Sequence, residues 1–148
     1  MRRRIAFAVA ALLVVEAAVA DDAQQDLKNL TGTWQAVSVE RAGESVPQAE
    51  VAKVRLIVEG KDYIFKTGKQ TIEGTHRLDS SKDPKMIDAV RTKGPDKGMT
   101  LHGIYELDRD TFRVCFSAPE KARPSEFRTG GDGGLRLFVF KRVKGTRR

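Results

Sequence analysis

From Thr33 to Glu40 polar and apolar residues alternate, with Trp34, Ala36 and Ser38 on one face. A period of two is the signature of a half-buried strand. The runs Val54 to Glu59, Asp62 to Thr67 and Gln70 to Leu78 follow, separated by Gly60-Lys61 and Gly68-Lys69. Three β-rich runs joined by glycine-containing pairs predict a meander of hairpins. Asp79 to Pro84 reads as a polar turn and Lys85 to Thr92 as a weaker strand. Gly94-Pro95-Asp96-Lys97-Gly98 is loop chemistry. Met99 to Leu107 is a strong strand, with Leu101, Gly103, Tyr105 and Leu107 facing one way. Asp108-Arg109-Asp110 turns it into Thr111 to Ser117, where Phe112, Val114 and Phe116 alternate with Arg113, Cys115 and Ser117. Ala118 to Pro124 is read as a loop and Ser125 to Thr129 as a short strand. The glycine run 130–134 is read as a flexible connection, and Leu135 to Val143 as the last strand. Two stretches differ. Asp21 to Leu30 lacks strand alternation and reads as a lead-in with one helical turn, and Pro47 ahead of Ala49, Val51 and Ala52 predicts one short helix.

These runs make about nine strands and leave no room for crossover helices, which argues against parallel sheets. The economical arrangement is an all-β, antiparallel, up-and-down barrel of about eight to nine strands with one short helix. Closure also hides strand edges, which a chain without disulfides must otherwise protect. A barrel of about eight strands is just wide enough to be filled by side chains or to hold one small ligand.

Composition adds location and removes chemistries. Arg2, Arg3 and Arg4 precede the apolar run Ile5 to Val15, and Ala18-Val19-Ala20 precedes Asp21. A basic start, a short apolar stretch and a small-x-small end form the pattern of a cleavable signal peptide, 1–20. The run is well short of the roughly 20 apolar residues that span a bilayer. The divisions expected are the signal peptide, a lead-in at 21–29, the barrel at 30–143 and a basic tail at 144–148. The chain is therefore expected to be exported: periplasmic, in the cell envelope or secreted. A single Cys excludes an internal disulfide, and with two His it leaves little for a metal site. Setting aside Arg2, Arg3, Arg4 and Glu16 lowers the net charge of +7 by two. Lys141, Arg142, Lys144, Arg147 and Arg148 carry the remainder, so the body is neutral and the end is basic. Such an end is either a solubilising terminus or a contact for an anionic envelope polymer or lipid surface. Nucleic acid is set aside as a partner for an exported chain.

The motifs also resemble a family. Gly32-Thr33-Trp34 is similar to the Gly-x-Trp opening of lipocalin-like barrels. A longer match is to an uncharacterised lipocalin-like family of exported proteins abundant in planctomycete bacteria. It rests on Glu73-Gly74-Thr75, Asp83-Pro84-Lys85 and Ile87-Asp88, then on Gly94-Pro95-Asp96-Lys97-Gly98 and Gly103-Ile104-Tyr105-Glu106-Leu107-Asp108. Cys115-Phe116, Arg123-Pro124, Glu126-Phe127 and Leu137-Phe138-Val139 continue it in the same order. The resemblance implies an extracytoplasmic lipocalin-like barrel and brings no established activity, cofactor or catalytic residue. Arg109, where the family usually has Gly, and His76, where an aromatic is commoner, depart from the pattern.

The resemblance implies that Trp34 plugs the closed end of the barrel beneath a basic residue of the last strand, Arg142 or alternatively Arg136. Cys115, beside Arg113, reads as an inert thiol in a barrel wall or as a reactive one, and no nucleophile motif surrounds it. His76 and His102 read as wall or surface histidines, and Asp79, Asp83 and Asp88 as turn acids that lack the EF-hand pattern. The glycine run lacks the Lys-Ser/Thr of a phosphate-binding loop. If Arg123-Pro124-Ser125-Glu126-Phe127 crosses the barrel mouth, Arg123 meets an anionic head while Tyr105 and Phe127 line an apolar interior. Otherwise Arg123 pairs with an acid and braces the loop. The expected function is a monomeric binding module for a small apolar or amphipathic anion, with no cofactor. The alternative is a packed-core envelope interaction module that works through its surface and the end from Lys141 to Arg148. With no coherent nucleophile, metal or acid–base set in the sequence, an enzyme is not expected.

Overall fold

A computed structural model describes residues 22–131 and 133–144. The segment 1–20, expected above to be a signal peptide, and the last four residues of the basic end lie outside the described residues. Helix α1 covers residues 22–30. It is followed by strand β1 (Gly32–Arg41), the two-residue β2 (Glu44–Ser45) and the one-turn helix α2 (Gln48–Val51). A continuous meander comes next: β3 (Arg55–Glu59), β4 (Asp62–Lys66), β5 (Thr71–Asp79), β6 (Lys85–Lys93), β7 (Thr100–Leu107), β8 (Thr111–Phe116) and β9 (Arg136–Arg142). Each strand pairs antiparallel with the next, and β9 returns to pair with β1. β1 and β3 to β9 thus form a closed eight-stranded barrel, and β2 is an extra strand beside the far end of β1.

The alternation seen in the sequence sets the inward faces. Leu56 and Val58 of β3 sit opposite Phe65 and Tyr63 of β4, and Val114 and Phe112 of β8 opposite Phe138 and Phe140 of β9. Trp34, Tyr105, Phe112 and Phe140 are the largest fully buried side chains. Burying each stabilises the barrel by very roughly 1.5–3 kcal/mol.

Four local expectations are corrected. Simple alternation put Ser38 on the face of Trp34 and Ala36. A register shift between Ala36 and Ser38 against β9 instead leaves Val37 and Ser38 exposed and turns Val39 inward, as a β-bulge does. Ser125 to Thr129 is not a strand. The barrel closes without it, and the segment lies on the outer wall, where Cys115 Sγ–H donates to the Arg128 carbonyl. Glu44–Ser45 is the ninth strand instead. The lead-in is helical across 22–30 rather than for one turn, because Leu27 and Leu30 dock on the core.

Docking of α1 closes one end of the barrel. The last carbonyls of a helix have no partner within it, and here the strands supply them. Trp34 Nε1–H donates to Leu30 O at 2.8 Å. Arg142 donates to Thr31 O at 2.8 Å and to Asn29 O, bringing a cation to the negative end of the helix. Gly32 stands at φ 140°, and a Cβ there would come within 2.8 Å of Arg142 Nη1. The glycine of Gly-x-Trp therefore clears the path along which Arg142 reaches α1. Asp26 accepts from the Tyr105 hydroxyl at 2.7 Å and from Lys85 Nζ at 3.0 Å, pinning the helix to β6 and β7.

Candidate functional site

Beyond Leu30, at the end of α1, the barrel is not filled. A cavity of about 140 Å³ lies between the strands. Its wall is mainly apolar, with Leu56, Ile72, Ile87, Leu101, Val114 and five phenylalanines. The rings pack on one another: Phe65 meets Phe138 edge-on at 5.5 Å, and Phe138 and Phe140 stack at 5.7 Å.

Three basic side chains interrupt this wall: His76, Arg91 and Arg136. Arg91 continues the inward alternation of Ile87 and Ala89 on β6. Its side chain is 12% exposed. Nη1 donates to Pro95 O at 3.2 Å and to Asp96 Oδ2 at 3.0 Å. Among the described residues the buried Nε–H has no hydrogen-bond partner, and an unmade bond of that kind costs about 1–3 kcal/mol or more for a charged group.

The loop from Gly94 to Gly98 sets this geometry. Gly94, Asp96 and Gly98 all have positive φ, a region open to glycine and tolerated by Asp. Gly98 N–H donates to Arg91 O at 2.7 Å and Met99 N–H to Asp96 O at 2.9 Å. The Gly-Pro-Asp-Lys-Gly string is thus a tight hairpin loop that carries Asp96 to the rim beside Arg91.

Arg136 begins β9, at the end of the barrel opposite Arg142. It is exposed by area, yet desolvation, followed by the charges of Arg41 and Arg91, pulls its pKa below the ordinary guanidinium value, with Asp96 opposing. His76 stacks on Tyr63 with ring centroids 6.1 Å apart. Burial lowers its pKa, against smaller opposing effects of the Gly60 backbone and Asp62, and its Nε2 has no partner among the described residues. The cavity therefore has an apolar body with two arginines and one carboxylate, Asp96, on its wall. Such a space suits a small molecule with an anionic end.

Tyr105, Arg123 and Phe127 do not come together, and none of them lines this cavity. Tyr105 is buried at the closed end, its hydroxyl held by Asp26; desolvation, then that bond and nearby acids, raises its pKa. Arg123 braces the barrel wall. Its guanidinium donates to Ile87 O at 3.0 Å, Gly103 O at 2.8 Å and Asp88 Oδ1 at 2.7 Å. Phe127 lies under the Arg113 guanidinium, 4.0 Å from ring centroid to Cζ.

The remaining candidates are also placed. Arg142, not Arg136, covers Trp34, at 4.3 Å from the ring centroid. His102 Nδ1 sits 2.8 Å from Asp88 Oδ1. Desolvation pushes the Asp88 carboxyl up, and the bonds with His102 and Arg123 outweigh it, so its pKa lies below the ordinary value. Cys115 is fully buried, and burial raises its thiol pKa. Asp79 accepts from the Ser81 hydroxyl and N–H. Among the described residues, no three His, Cys, Asp or Glu side chains gather where a metal ion could be held.

Of the basic end, Lys141 donates to Thr111 Oγ1 at 2.8 Å and Arg142 is engaged at the plug. No family model matches this chain, and no curated protein or solved structure does.

The cavity residues that sequence reasoning missed were open to a simple signal. Arg91 follows Ile87 and Ala89 at every second position, and Arg136 precedes Phe138 and Phe140 in the same way. An arginine on an inward-facing register is a charge at a barrel mouth.

Proposed function

We propose that this chain is a binding module of the lipocalin-like kind, taking one small apolar or amphipathic anionic molecule into its barrel. The observation that carries this reading is the unfilled apolar cavity, with the side chains of Arg91 and Arg136 on its wall. A barrel that served only as a scaffold would gain by filling that space, since packed interiors leave few voids. The signal-peptide pattern at 1–20 and the motif resemblance support an exported member of the planctomycete lipocalin-like family. Closure of the sheet supports a monomer, and the absence of a nucleophile, metal or acid–base set from the sequence reading supports a non-enzymatic role. The engagement of Lys141 and Arg142 within the fold weighs against the basic end as the principal contact surface.

The reading is tested on mature protein purified from its own cells, by native mass spectrometry followed by organic extraction. The expected result is one small organic molecule per chain, lost on Ala89→Phe, which fills the cavity from β6. A clean unliganded mass at high yield, with no amide shifts on adding toluene, would overturn it.

A further inference from the structure

The cavity reading leaves open what enters, and its dimensions and wall narrow the choice. Sites for drug-sized ligands run to roughly 300–1,000 Å³, whereas a dry apolar cavity of about 150 Å³ holds benzene. The space here, about 140 Å³, belongs to the second class. A long acyl chain or a fused polycyclic body exceeds it. The wall is aromatic, with Phe65, Phe112, Phe116, Phe138 and Phe140 around it, and rings meet such walls edge-on or offset with a gain beyond area alone.

The polar end is equally defined. Pro95 O and Asp96 both engage Arg91 through Nη1, which holds the guanidinium plane while the Nε–H stays unpartnered among the described residues. Arg136 lines the same cavity and lies within electrostatic reach of Arg91. Arginine donors arranged in this way match the two oxygens of a planar carboxylate.

Resting on the cavity reading above, we propose that the barrel binds a single-ring aromatic carboxylate, its ring among the phenylalanines and its carboxylate between the guanidinium groups of Arg91 and Arg136. Asp96 is a positioning residue that orients Arg91 through Nη1. Arg91 and Arg136 set two cations on this wall against the single carboxylate of Asp96, so the site offers charge for an anion as well as room for the ring.

The test is a titration of the mature protein, followed by calorimetry and amide chemical shifts, with benzoate, its neutral analogue toluene, and palmitate. Benzoate is expected to bind about ten-fold or more tightly than toluene, since a charge-assisted bond is worth about that ratio. Arg91→Met and Arg136→Gln should each remove most of that advantage, read as the ratio of benzoate to toluene affinity within the same variant. Arg136 is at the rim, so its variant keeps the test valid should Arg91→Met fold poorly. Benzoate binding no tighter than toluene, or undiminished in both variants, would overturn the carboxylate site while leaving the cavity reading intact. Palmitate binding tighter than benzoate would overturn the size class. No binding of toluene or benzoate would sink this proposal and the cavity reading together.

Discussion

The Arg142 guanidinium lies 4.3 Å from the centroid of the Trp34 ring and reaches past it to the backbone of α1. The last strand, the first strand and the N-terminal helix are thereby fastened at one point. Only 8% of the Arg142 side chain is exposed, so water replaces its bonds poorly once it is cut away. Arg142→Ala is expected to lower stability by about 2–4 kcal/mol, combining lost charge-assisted bonds with the cation–π contact. Urea denaturation followed through Trp34, the single tryptophan, measures it directly. A loss below about 0.5 kcal/mol, the size of an ordinary surface change, would show that the plug is not a fastening.

Arg123 is occupied on the wall by Asp88 and by two strand carbonyls. Arg123→Ala should therefore cost about 1–3 kcal/mol of stability, by leaving those acceptors short of a donor. Affinity for any molecule in the cavity should stay within about two-fold, since the residue does not line it. Paired thermal melts and titrations separate the two effects. A large loss of affinity at unchanged stability would return Arg123 to the binding site.

The strands were legible because inward residues recur at every second position, from Phe112, Val114 and Phe116 on β8 to Leu101, Gly103 and Tyr105 on β7. Three things were not. The bulge after Ala36 changes facing without changing composition, so Ser38 looked inward and Val39 outward. Phe127 looked like a strand residue because an isolated aromatic among polar neighbours fits a strand as well as a segment pressed onto an outer wall. Arg123 could be placed in its loop but not oriented, because its partners Ile87 and Gly103 come from strands far away in the chain. Local pattern carries facing within a strand; it carries nothing about which side of the wall a connecting loop falls on.

Cys115 is fully buried beneath the 124–129 segment, and its thiol donates to Arg128 O. Burial, chiefly, raises its pKa, against the Arg128 backbone hydrogen bond and then Arg113, so little thiolate forms at neutral pH. Iodoacetamide at pH 8 should label the native protein at least about 100-fold more slowly than the urea-unfolded chain. Mass spectrometry over time reads both rates. Comparable rates would mean that the outer segment lifts away readily and that the thiol belongs to an accessible site.

His76 gives the barrel a defined pH response. Its imidazole is buried against Tyr63, and desolvation lowers its pKa in the folded state. In the unfolded chain it takes a proton near the ordinary value, about 6.5. Between that value and the lower folded one, the unfolded state holds more protons than the folded state. Stability therefore falls as pH drops through that window, and is fully present above it. Carboxylates such as Asp88, whose pKa is also lowered, withdraw their contribution only at more acid pH, below about 4. Melting temperatures at pH 7.5 and 5.5 thus straddle the unfolded value, where the His76 effect sets in, and leave the carboxylates charged. The native protein should lose stability between the two, and His76→Phe, which fills the same aromatic stack, should lose less. An equal loss in both proteins would assign the pH response elsewhere and leave His76 a neutral part of the cavity wall at either pH.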